Sequence, residues 1–262
     1  MTRRMLTAAL TLTALTTAQA DVTLKATAEG KGLGMSGTTA NLTYIKGLKM
    51  RSEAASAKAN TVTLFDVDAQ KLYILNDKKK QADVWEMAAF TREMSQSVAA
   101  GGMRASLTPN GQTKSIQGQN ADGYDIEILV PATIGGPGGI PMTILLTGVS
   151  WIAKGAPGAA DYAAFYQGAA EKGWIFSDPR AAEGAPGQAK AMAQMYAEFA
   201  KIGGIPLESQ MDIKAEGEGT VAEMMAKLGG VSTTTTIDSV DVTPLDDALF
   251  QVPADYTLKE RK

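Results

Sequence analysis

The stretch from Gly47 to Asn76, GLKMRSEAASAKANTVTLFDVDAQKLYILN, limits what this chain can fold into more than any other part of it. Leu48, Met50 and Ser52 alternate with Lys49, Arg51 and Glu53. Val62 and Leu64 alternate with Thr63 and Phe65, and Leu72 and Ile74 with Tyr73 and Leu75. Side chains leave a strand alternately from its two faces, so this period of two marks a sheet with one covered face and one wetter face. Asp66-Val67-Asp68-Ala69-Gln70 between the last two runs is short and polar, as a hairpin connection is. Strands joined so tightly run antiparallel. The stretch therefore reads as the middle of an antiparallel sheet that the rest of the chain must close or cover.

The chain has 262 residues and is 45% hydrophobic, too apolar for a disordered protein. It contains neither cysteine nor histidine, which removes disulfides, thiol chemistry, His/Cys zinc sites and any mechanism that needs imidazole. Its formal charge of -3 is spread along the sequence with no basic stripe, which argues against a nucleic-acid partner.

Residues 1–20 read as a cleavable signal peptide. Arg3 and Arg4 form a basic start, Leu6 to Leu15 a short apolar run, and Ala18-Gln19-Ala20 a small-x-small cleavage site. Cleavage after Ala20 removes both arginines and takes the charge from -3 to -5. Thr2-Arg3-Arg4-Met5-Leu6 faintly resembles a twin-arginine signal, yet paired arginines are common in ordinary secretory signals. No later run approaches the ~20 apolar residues of a membrane-spanning helix, so a periplasmic, non-spanning protein is expected. No cysteine follows the apolar run to carry a lipid anchor.

Alternation continues on both sides of the central stretch. Val22 to Glu29 and Thr38 to Lys46 read as strands around the glycine-bearing turn Gly30–Gly34, and Gln81 to Trp85 as a strand after the basic turn Lys78–Lys80. Met87, Phe90, Met94 and Val98 then fall on one face of a helix ending at Gly101-Gly102. Strand patterns return at Lys114–Gln117, Tyr124–Val130 and Met142–Ala153. The Gly/Pro segment Pro131–Pro141 separates the last two and lacks the Lys-Ser/Thr of a phosphate loop. Tyr162, Phe165, Tyr166 and Ala169 line a second helix that stops at Gly173. Met192, Met195, Tyr196 and Phe199 line a third, from Pro186 to Gly203-Gly204. A fourth carries the capping box Thr220-x-x-Glu223 and the stripe Val221, Met224, Met225 and Leu228. Leu207–Lys214 and Val231–Val242 are strand-like, and the tail runs to Leu249-Phe250-Gln251-Val252-Pro253.

About ten strands and four helices without βαβ alternation predict an α+β protein. The expected architecture is a single antiparallel sheet, strongly curved, with helices gathered on its concave face. Residues 21–262 are expected to form one domain with a helical insertion around 159–203.

With these elements in order, the chain resembles an uncharacterised family of exported bacterial domains similar to the LolA/LolB lipoprotein carriers. The resemblance rests on Gly47-Leu48-Lys49-Met50-Arg51-Ser52-Glu53 followed by Phe65-Asp66-Val67-Asp68-x-x-Lys71-Leu72-Tyr73-Ile74-Leu75-Asn76. It is supported by Gly118…Tyr124, Trp151-Ile152-Ala153, Gly204-Ile205-Pro206-Leu207 and Asp246-Asp247-Ala248-Leu249-Phe250-Gln251-Val252-Pro253. It implies an incomplete, LolA-like barrel of about ten to eleven strands, with helices as a plug over an apolar cavity that holds acyl chains in the carriers. The chain departs from them in its helical region Ala159–Gly203, in lacking a lipobox, and in that no residue matches the carriers' lid-locking arginine.

For chemistry the sequence offers the acid pairs Asp66/Asp68 and Asp246/Asp247, in settings where carboxylates more often form turns than catalyse. Arg51 is expected to face a carboxylate on a neighbouring strand. The methionines say more. Met87, Met94, Met192, Met195, Met224 and Met225 sit on apolar helical stripes. They can fill a core, form an adaptable lid over acyl chains, or, at Met192-x-x-Met195, offer thioethers to copper(I). Trp85 and Trp151 can line a cavity mouth or lie buried under the helices. The candidates for contact with a hydrophobic ligand are Met50, Leu64, Trp85, Met87, Phe90, Met94, Trp151, Met192 and Met195; no cofactor or metal is expected. The function expected is non-enzymatic binding or carriage of a lipid, lipoprotein acyl chains or another hydrophobic ligand. The alternative is a structural or interaction module of the envelope with a filled core.

Overall fold

A computed structural model describes residues 21–32, 35–57, 60–97, 103–134, 140–176, 178–182, 186–217 and 230–261. The expected signal peptide, 1–20, and the expected fourth helix around 220–228 lie outside the described residues.

The alternating segments pair into one sheet. Its strands are β1 (Val22–Gly32), β2 (Met35–Lys46), β3 (Lys49–Ser56), β4 (Asn60–Asp66), β5 (Lys71–Asn76), β6 (Gln81–Glu86), β7 (Arg104–Ile116), β8 (Gln119–Ile134), β9 (Ile140–Ala153), β10 (Ile205–Gly217), β11 (Val231–Asp241) and β12 (Thr257–Glu260). The helices are α1 (Met87–Ser97), α2 (Ala159–Glu171), the single turn α3 (Pro179–Ala182) and α4 (Pro186–Ile202). The strand order is β12-β6-β5-β4-β3-β2-β1-β11-β10-β9-β8-β7, so β12 and β7 are edges and the curved sheet does not close. This is the incomplete barrel that the resemblance implied.

Three details differ from the sequence reading. β7 begins at Arg104, ten residues before the predicted Lys114, because Pro109 and a bulge between Pro109 and Thr113 interrupt the alternation that marks a strand. β8 and β9 run to Ile134 and from Ile140, so strand pairing reaches into what the sequence marks as a Gly/Pro loop; residues 135–139 lie outside the described residues. The tail adds β12, which pairs in parallel with β6 from Thr257↔Gln81 to Glu260↔Val84. Four exposed residues show no alternation to announce a strand, and a partner 176 residues away is visible only in the fold.

The tail also changes the face pattern of the central strands. Met50↔Phe65, Phe65↔Leu72 and Leu72↔Trp85 form a lateral row packed with the helices. The opposite face buries Leu64, Leu75 and Ala82 under Val252 and Tyr256, so the expectation of one covered and one wetter face does not hold for these strands. Both faces of β4–β6 are therefore covered. The covering segment is fixed by a 3-10 turn (Asp247–Phe250), whose Leu249 carbonyl accepts from Arg51 Nη1 at 3.3 Å. Arg51 Nε pairs with Glu53 on its own strand at 2.6 Å, a correction to the expected neighbouring-strand partner. Residues two apart on a strand share a face, and that is what permits the pair.

Curvature is built into the backbone. Bulges lie at Asp238 of β11, opposite Lys25 and Ala26 of β1, and between Pro206 and Glu208 in β10, and bulges increase local twist. Gly148 of β9 sits so close to β10 that a Cβ there would lie 1.9 Å from the Gln210 carbonyl oxygen. Glycine at this position lets the two backbones converge.

Candidate functional site

The helices divide the apolar interior into two clusters. In the first, α2 buries Ala159, Tyr162, Phe165, Tyr166 and Ala169, spaced as one helical face. They meet Val22, Ile45, Met50, Phe65, Leu72 and Trp85 from the sheet, and Met87, Phe90 and Met94 from α1. Gly168 of α2 faces Leu48, whose Cδ2 would lie 2.6 Å from a Cβ there. The second cluster lies under α4. Ala191, Met195 and Phe199 pack on Tyr124, Ile126, Ile128 and Val130 of β8 and on Leu146 and Ile152 of β9.

The first cluster contains a continuous group of aromatic rings. Phe176, in the segment after α2, touches Phe65, Phe165, Tyr166, Trp174 and Tyr196 with centroids 5.0–6.4 Å apart. The ring centroids of Tyr162 and Tyr166 lie 4.7 Å apart. Tyr166 Oη donates to Met50 Sδ at 4.0 Å, a weak acceptor. Burial pushes the Tyr162 and Tyr166 phenols well above their ordinary range, so both remain neutral donors. Trp174 Nε1 is fully buried and has no hydrogen-bond partner among the described residues.

The second cluster is only partly covered. Met103 and Leu107 at the β7 side, Ile144 of β9, Met211 and Ile213 of β10, and Met192 of α4 pack against it while staying only partly buried. On β10 the pattern is regular, with Met211 and Ile213 half-buried between exposed Gln210, Asp212 and Lys214. The apolar row thus continues along the strand past the footprint of α4.

A groove of about 640 Å³ opens at the tips of the β3–β4 and β5–β6 hairpins, lined among others by Asn60, Thr61, Ile74, Asp77, Asp83 and Arg180. That size is in the range of ~300–1,000 Å³ usual for ligand pockets. Ile74 belongs to the first cluster, so the groove borders the apolar interior. Arg180 is held by Asp178 through Nε at 2.9 Å and Nη2 at 2.5 Å, and its guanidinium lies 6.0 Å from the Trp85 ring centroid. Across the groove, burial tends to raise the Asp83 carboxyl, but hydrogen bonds from Arg261 and Gln81 outweigh it and hold the carboxyl below its ordinary value.

The sequence-derived candidates fall into these environments as follows. Met50, Trp85, Met87, Phe90 and Met94 come together in the first cluster. Met195 is buried in the second and Met192 stands only partly buried at its border. Leu64 lies apart, on the face covered by the tail. Trp151 is half-buried on β9, with Lys114 Nζ 4.5 Å above its ring and Glu208 holding that lysine at 2.8 Å. Sequence reasoning passed over Trp174 and Phe176, which lie in a short segment without periodicity, and the partly buried Ile144, Met211 and Ile213. For the β10 residues a signal existed in the alternation, but alternation does not tell which apolar side chains the helices leave uncovered.

The acids considered for catalysis have structural partners. Asp66 Oδ1 accepts from the Ala69 N–H at 2.9 Å, and Asp68 pairs with Lys172 at 2.8 Å. Asp246 accepts from the Ala248 N–H at 2.9 Å, and Asp247 pairs with Lys46 at 2.7 Å. Among the described residues no three His, Cys, Asp or Glu side chains come close enough to hold a metal ion, and no helix is long and apolar enough to cross a membrane.

Fold and site together define an open twelve-stranded sheet that carries helices over an apolar face which the described residues cover incompletely. No family model matches the chain, and no curated protein does. Among solved structures it is similar to the Mycobacterium tuberculosis lipoprotein LppX, at 12% identity and a TM-score of 0.32, over 88% of this chain and 91% of that one. It is also similar to an outer membrane lipoprotein-sorting protein domain from Vibrio parahaemolyticus, at 9% identity and a TM-score of 0.31, over 89% and 90%. PNGF-II is matched at 11% identity and a TM-score of 0.32 over 92% of this chain, which spans 31% of the length of that one. These likenesses are of general architecture and extend no further.

Proposed function

We propose that this chain is an exported, non-enzymatic binding protein that holds an apolar ligand, such as a lipid or the acyl chains of a lipoprotein, between α4 and the sheet. Residues 21–262 act as one binding domain, released after a signal peptide of residues 1–20. The observation that carries the reading is the apolar row Met192, Ile144, Met211 and Ile213, which is only partly buried beside a fully buried cluster. A contiguous apolar surface left in water is costly and marks a surface that something covers. Methionine at its border suits an occupant of variable shape, because its unbranched side chain adapts to irregular partners.

The first cluster supports a second reading. Its rings are densely buried, with Phe165 at 0% exposure, as in an envelope module whose core is filled. One experiment separates the two. Mature protein purified without detergent is expected to carry an extractable acyl species by native mass spectrometry, or to take up a fluorescent fatty acid with saturation. Met211→Glu together with Ile213→Glu should abolish uptake while the fold, followed by circular dichroism, persists. Bare chain mass combined with no uptake would remove the carrier and leave the module.

A further inference from the structure

Resting on that reading, we propose that the helix-bearing face of β11, β1 and β2 seats the head group of the ligand, and that this head is uncharged and carries hydroxyls, as in an alkyl glycoside. Ile237 of β11, Ala26 of β1 and Ile45 of β2 pack in the first cluster, and Met211 of β10 packs against the second. These residues fix which side of each strand faces the helices, because side chains two apart share a face. The registers then join that side into two lateral rows. One runs through Met211, Thr233, Gly30 and Gly37, the other through Ser209, Thr235, Ala28, Thr39 and Ser56. Between β10 and β11, over one strand spacing of about 4.8 Å, the apolar row of the proposed site gives way to hydroxyls.

There is room above these rows. Gly30 and Gly37 are cross-strand partners, and a Cβ on either would find no described atom within 4 Å. Glycine inside a strand marks a place where another group can come close to the backbone. Thr39, Thr233 and Thr235 are all partly exposed, and Ser56 at the end of the second row lines the groove of about 640 Å³ together with Thr61. The face therefore runs from the apolar row to an opening. The surroundings set the charge of the head. Among the described residues, this side of β11, β1 and β2 carries no ionisable side chain between the clusters and the groove. Lys25, Glu29 and Lys31 alternate onto the other side, as do Asp212, which accepts from Ser232 at 2.8 Å, and Asp238, which accepts from Thr27 at 2.8 Å. A phosphate or carboxylate here would lose water without gaining a counter-ion, which costs far more than seating a neutral group. Threonine hydroxyls both donate and accept, and so do those of a sugar. Ser209 is engaged by Ser150 at 2.8 Å, and Thr233 donates a long bond of 3.5 Å to the Met211 carbonyl, so Thr39 and Thr235 are the main contacts for the head.

The test displaces a neutral fluorescent probe, phenylnaphthylamine, from the mature protein with three compounds of one chain length: dodecyl glucoside, dodecanol and dodecyl phosphate, each below its micellar concentration. The glucoside should bind about tenfold more tightly than dodecanol, the effect of one or two added hydrogen bonds, and the phosphate should bind more weakly than the glucoside. Thr39→Val together with Thr235→Val keeps the outline of both side chains and removes both hydroxyls. It should bring the glucoside to within about twofold of dodecanol while dodecanol binding stays the same. Gly37→Leu fills the open space on an exposed part of β2 and should weaken the glucoside selectively. Circular dichroism confirms that each variant is folded. A large excess of free glucose should leave the bound glucoside in place. Equal affinity for glucoside and dodecanol, tighter binding of the phosphate, displacement by free glucose, or a preference that survives both variants overturns the head-group assignment alone. Failure of all three compounds to bind overturns it together with the proposed function.

Discussion

Tyr166 of α2 and Tyr196 of α4 stack almost in parallel, with ring centroids 5.1 Å apart and 8° between their planes. This contact ties the helix over the first apolar cluster to the helix over the second. Sequence reading placed each tyrosine on the apolar stripe of its own helix, and only the crossing of the helices makes them partners.

A double-mutant cycle measures that tie. Tyr166→Leu and Tyr196→Leu should each destabilise the fold in urea, and the double change should cost less than their sum by about 0.5–1.5 kcal/mol, the usual worth of an aromatic pair beyond its buried area. Strict additivity would mean that the helices hold their places without the stack.

The buried phenols predict a response to alkali. Burial raises Tyr162 and Tyr166 above the ordinary 10.0, which means that the fold favours their neutral forms. Their contribution to stability is complete below pH 10 and is lost as the pH climbs towards the folded-state values. Tyr256 is pushed up to about 12, chiefly by the hydrogen bond it donates to Asp77. Ultraviolet titration should therefore show these tyrosines ionising late and together with unfolding. Reversible ionisation of all seven tyrosines near pH 10 in the intact fold would contradict it.

Sheet curvature can be tested at its glycines. Gly148→Ala places a methyl group against the Gln210 backbone and should cost about 3 kcal/mol or more, since neither backbone can yield without disturbing the strand pairing. Gly37→Ala, on exposed β2 with nothing within 4 Å of its Cβ, should be neutral or slightly stabilising. Thermal unfolding of the two variants is the measurement, and similar midpoints would show that the close approach at Gly148 is not required.

The sequence by itself determined the strands and the antiparallel order of β1 to β6, because alternation and short polar turns are local and the hairpin makes consecutive strands neighbours. It also determined the buried faces of α2 and α4, since Tyr162, Phe165 and Tyr166, or Met195 and Phe199, sit at helical spacing whatever they pack against. Only the tertiary structure decided that Leu64 faces the C-terminal tail while Phe65 faces the helices, because the cover over each face comes from residues more than a hundred positions away. It alone decided that β1 pairs with β11, that the Trp174 N–H is buried with no partner among the described residues, and that Met211 and Ile213 lie just outside the footprint of α4. Periodicity says which side of an element is apolar. How much of that side is covered depends on where long-range packing leaves the other elements.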